Sequence, residues 1–149
     1  MEKTVIRRLT IAYYAVIVLC LLLVTTLIYL NKLGRLSFID PMTTLGQTVQ
    51  TIVILYLIVS LPLVLFWFKK MCDKLKSEAD ETVKFKGYQK YSKIRLIVVG
   101  VGLLVAITSF YLLGGHQPMI WCAAIEAIGL IFCKPSQNRM ILELNNITE

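Results

Sequence analysis

Glu126 is the one charged side chain inside a predicted membrane span, and it stands about eight residues beyond Pro118, roughly 12 Å along a helix rising 1.5 Å per residue. That depth is close to the bilayer midplane. An acid there costs about 2.5 to 3.5 kcal/mol on insertion scales, so it is expected to face the bundle interior rather than lipid. Cys122, Ala123, Gly129 and Cys133 share its helical face, while Ile120, Ala124, Ile128 and Ile131 lie on the other side. No Lys or Arg lies in a span to pair with it, so the neutral form is expected.

Two kinds of chemistry fit such a carboxyl. It can bind a proton or cation, or it can act as hydrogen-bonding glue between helices, at about 0.6 kcal/mol per bond. Tyr56 and Ser60, four residues apart and so on one face of their helix, are the expected partners at that depth, with Thr108 and Ser109 nearer the outer side. His116, in the turn before this span, either relays protons from outside or is simply solvated.

Nucleophilic and acid-base catalysis need groups partnered within hydrogen-bond reach, and the remaining lysines and tyrosines are scattered. No catalytic residue is therefore assigned. Cys20 and Cys122 fall inside spans, Cys72 and Cys133 at their inner ends, and there is no C-x-x-C pair and a single histidine. No disulfide framework, metal site or cofactor is expected.

The elements that must position Glu126 are read from hydropathy. With 57% apolar residue types in 149 residues, the chain is well above the roughly 45 to 50% of soluble domains. Its uncharged runs predict spans over about 9–31, 47–68, 96–113 and 118–133, the last of them short against the roughly 20 residues a crossing needs. The expected fold is an all-α integral membrane four-helix bundle, built as two helical hairpins, in one domain.

Between the second and third spans lies a bridge, 69–95, with nine Lys and Arg against four acids. Of the sixteen Lys and Arg in the chain, fourteen lie in this bridge, before the first span or after the fourth. That asymmetry places both termini and the bridge in the cytoplasm, with the plasma or inner membrane the expected location. The charge is thus explained by topology and by anionic lipid headgroups, with no nucleic acid as partner. In the second half of the bridge Phe85, Tyr88 and Tyr91 alternate with Lys84, Lys86, Lys90 and Lys93. This pattern predicts either a short helix on the bilayer surface, its lysines on headgroups, or a solvated linker, with a break at Gly87.

Three local signals complete the reading. Asp40-Pro41 reads as the cap and first residue of the second helix, and Pro62 is a kink site with Ser60 as a compensating hydroxyl. Gly102, Ala106 and Ser109 form a small-residue stripe that admits a close neighbour. In the cytoplasmic tail, 134–149, Met140, Ile141 and Leu144 predict a short amphipathic helix after Pro135. The expected function is that of a non-enzymatic accessory or assembly protein, in a larger membrane complex or a homo-oligomer. The alternatives are a small oligomeric transporter or channel using Glu126 for a proton or cation, and an enzyme acting on a lipid-like substrate.

Overall fold

A computed structural model describes residues 2–34, 38–78 and 80–144, and among these every regular element is helical. The helices are α1 (Glu2–Lys32), α2 (Thr44–Lys76), α3 (Glu81–Leu112), α4 (Gln117–Phe132) and α5 (Gln137–Leu144). The first three are each long and apolar enough to cross a membrane. At 16 residues α4 reaches only roughly 24 Å, and it qualifies as a fourth span together with α5, from which it is bent by 81°.

The bridge is not a separate layer. α2 and α3 run 33 and 32 residues, close to 50 Å each, against about 30 Å of hydrocarbon, so they carry the bridge outward as one antiparallel hairpin. The expected break at Gly87 is absent: the glycine lies inside the continuous α3, and a methyl group placed on it would sit 2.5 Å from Leu75 Cδ2 of α2. Asp80 caps α3 through its carboxylate, which accepts from the Thr82 amide at 2.8 Å and from the Thr82 hydroxyl at 2.7 Å. These bonds to Thr82 hold the Asp80 carboxyl below its ordinary range.

The cap expected at Asp40 lies three residues further on. Thr43 accepts from the Gly46 amide at 3.2 Å, while Asp40 closes the preceding turn by accepting from the Met42 amide at 2.9 Å. Gly46 packs against this turn so closely that a methyl group there would meet the Asp40 carbonyl oxygen. α2 continues through Pro62, with Ser60 donating to the Leu57 carbonyl at 3.3 Å.

α3 is the hub. It packs against α2, α4 and α1, whereas α1 makes no extended contact with α2. The first two helices therefore do not form the expected hairpin; the pairs joined in sequence that do pack are α2 with α3 and α3 with α4. The physical reason is the distribution of glycine on α3. Gly100 faces α1, where a methyl group would come within 2.8 Å of Val16, and Gly102 faces α4. Two residues apart on a helix, they point about 160° from one another. The small stripe sits inside, with Ala106 and Ser109 both buried. α5 folds under α1 and α2, its Met140 and Leu144 buried with Val5, Leu9, Phe68 and Cys72.

Candidate functional site

The carboxyl of Glu126 is sealed, at 1% exposure, between α4 and α3. Its position follows from the sequence of both helices. On α4, Gly129 and Cys133 are buried and Cys122 and Ala123 half-buried, while Ile120, Ala124, Ile128 and Ile131 are exposed. On α3, Gly102 leaves the backbone bare, and a methyl group there would be 3.0 Å from both Cδ and Oε2 of Glu126 and 3.1 Å from Oε1. The carboxyl thus lies flat on α3.

Tyr56 and Ser60 do not reach it. Both Glu126 oxygens are buried with no hydrogen-bond partner among the described residues, and Tyr56 is 42% exposed on the outer side of α2. Ser60 spends its hydroxyl on its own helix. Thr108 likewise donates to the Leu104 carbonyl at 2.8 Å. His116 precedes α4 half-buried, with Nδ1 buried and unpartnered, so it is less solvated than a loop position suggests.

A second site, missed in the sequence, lies toward the hairpin turn. Tyr88, Ser92 and Arg95 follow one another at i, i+4 and i+7 on α3 and all are buried. The Arg95 guanidinium stacks 3.8 Å above the Phe68 ring of α2, a favourable cation–π placement. From α5, Glu143 accepts from the Tyr88 hydroxyl at 2.6 Å and holds its other oxygen 3.7 Å from Arg95 Nη1. Burial first, then the Glu143 charge, push the Tyr88 phenol well above its ordinary range. Burial also pushes the neighbouring Cys72 thiol up to about 12, leaving it almost entirely as unreactive thiol at neutral pH.

Lys86, Lys90 and Lys93 are exposed and Lys84 half-buried, all on the same continuous helix as the third span. The aromatics between them point the other way from the bilayer reading. Tyr88 belongs to the buried cluster and Phe85 and Tyr91 pack against it, so this segment's apolar side is taken up by protein.

The chain matches no family model, no curated protein and no solved structure. Among the described residues no cluster of three or more His, Cys, Asp or Glu side chains is placed to hold a metal ion.

Because Glu126 has no hydrogen-bond partner to lose, replacing it by an apolar residue of similar size should not loosen the helices. Glu126→Leu is expected to leave the unfolding midpoint in detergent unchanged or raise it, by about 1 to 3 kcal/mol of stability at most. A drop of more than about 1 kcal/mol would reveal a partner for the carboxyl.

Proposed function

We propose that this chain is a four-span membrane protein, with α4 as the short fourth crossing and α5 turned along its inner end, that acts as a non-enzymatic assembly or interaction protein. The observation that carries the reading is a concave, almost wholly apolar groove of about 750 Å³ along α2 and α3, lined among others by Ile52, Leu55, Val59, Leu63 and Val98. From Ile52 to Trp67 it runs roughly 22 Å, about four helical turns, the length over which two spans pack. Its few polar groups include the Tyr56 and Ser60 hydroxyls, of the kind that hydrogen-bond between helices in lipid. The occupant that fits is a transmembrane helix of a partner protein.

Photo-crosslinkers placed at Val59 and Leu63 are expected to give one defined protein adduct in membranes. The same groups at Leu21 and Ile128, exposed on other faces, should not. A product at twice the chain's mass would make the partner a second copy, and adducts to lipid alone from all four sites would overturn the reading.

Both termini and the α2–α3 turn are assigned to the cytoplasm by the Lys and Arg asymmetry. In intact cells an impermeant thiol reagent should label Met42→Cys and spare Ser77→Cys, both exposed positions, in a cysteine-free background. Native Cys72 is unsuitable as the inner reporter because it is buried and its thiol is unreactive. Labelling of Ser77→Cys alone would invert the topology.

A second reading is favoured by the unpartnered Glu126 carboxyl: a small oligomeric carrier in which it holds the transported proton or cation. Glutamine keeps the shape and cannot release a proton. Under this reading Glu126→Gln folds normally and abolishes pH-dependent flux in proteoliposomes. Flux equal to that of the parent would remove it.

A further inference from the structure

Arg95 is more than nine-tenths buried, yet it is poorly satisfied. Its Nε has no partner among the described residues, and its contact with Glu143, at 3.7 Å, is beyond hydrogen-bond range. A guanidinium offers five N–H donors, and a buried one is stable only when anionic or polar acceptors meet them. Glu143 is held from doing so by its 2.6 Å bond to Tyr88. On the open side of Arg95 lies a cavity of about 380 Å³ between α2, α3 and α5. Lys69 adds a second positive charge to its wall, Lys76 is neutralised by Asp73 at 2.9 Å, the Glu143 carboxylate lines it as a competing internal anion, and Leu65, Phe68, Cys72 and Leu142 supply its apolar lining. Lys69 and Lys70 follow the apolar run of α2 directly, which puts the mouth at the level of the lipid headgroups.

We infer that this cavity binds the phosphate of an anionic glycerophospholipid, Arg95 and Lys69 holding the phosphate while the acyl chains lie along Leu65, Phe68 and Leu142. The fork geometry of Arg95 suits bidentate phosphate recognition, and its ring-stacked pose fixes the plane of the fork before the lipid arrives. A zwitterionic lipid fits less well, since its quaternary ammonium would sit beside the two positive side chains. The site is distinct from the α2–α3 groove. It depends on the four-span reading only for its depth, so a failure to find a protein partner leaves it standing.

The test is native mass spectrometry of the full chain in detergent, titrated with phosphatidylglycerol, phosphatidylcholine or inorganic phosphate, with thermal unfolding as the check on folding. The expected result is retention of phosphatidylglycerol at least tenfold stronger than phosphatidylcholine, reduced about tenfold in Arg95→Gln. Leu142→Glu places a negative charge at an exposed position on the rim, where folding is not at stake, and should weaken retention by a similar factor. Glu143→Gln removes the competing internal anion and should leave retention equal or tighter. Equal retention of both lipids, undiminished retention in folded Arg95→Gln and Leu142→Glu, or binding of inorganic phosphate without retention of lipid would each overturn the proposal.

Discussion

Three helices can lean on α3 because its backbone is bare where each of them crosses. Lipid tails are as apolar as leucine, so helices in a bilayer gain little from hiding apolar surface and associate through close van der Waals contact instead. Gly87, Gly100 and Gly102 supply that closeness toward α2, α1 and α4 respectively. A side chain at any of the three would press on a neighbour's side chain, Leu75, Val16 or Glu126, and force it to shift. The position of the Glu126 carboxyl follows from the same constraint, since it occupies the room that Gly102 leaves.

Hydropathy and spacing made the helical class, the first three long apolar helices and the inward face of α4 legible, because each depends on local apolar period alone. The stripe of Gly102, Ala106 and Ser109 and the amphipathic α5 were readable for the same reason. What was misread depends on partners distant in the chain. Gly87 looks like a break until Leu75 is set against it, and the aromatics at 85, 88 and 91 look lipid-facing until α2 and α5 cover them. Tyr88, Ser92 and Arg95 carried a usable signal, their i, i+4, i+7 spacing, which the assumed break at Gly87 concealed. Depth alone points to Tyr56 or Ser60 as the partner of Glu126, and depth says nothing of which way α2 is rotated.

The buried acid of α4 and the buried base of α3 sit at different levels along α3. Arg95 and Gly102, on which Glu126 rests, are about 10 Å apart along α3. Val99 stands between them, 2% exposed and against Gly129 of α4. This apolar layer leaves the acid without the base and the base without the acid. Each is an expensive group that an apolar side chain could replace, and each lies where helices meet rather than facing lipid.

The one-sided attachment of α1 has a consequence for how the chain is made. Its Val16 meets Gly100 across more than 80 residues of sequence, and between them α2 is synthesised without packing along α1. At about 5 to 20 residues per second, the first helix waits on the order of 4 to 16 s in the bilayer before its partner emerges. During that interval the first two spans are separate passengers in lipid, and the arrival of α3 gathers both at once.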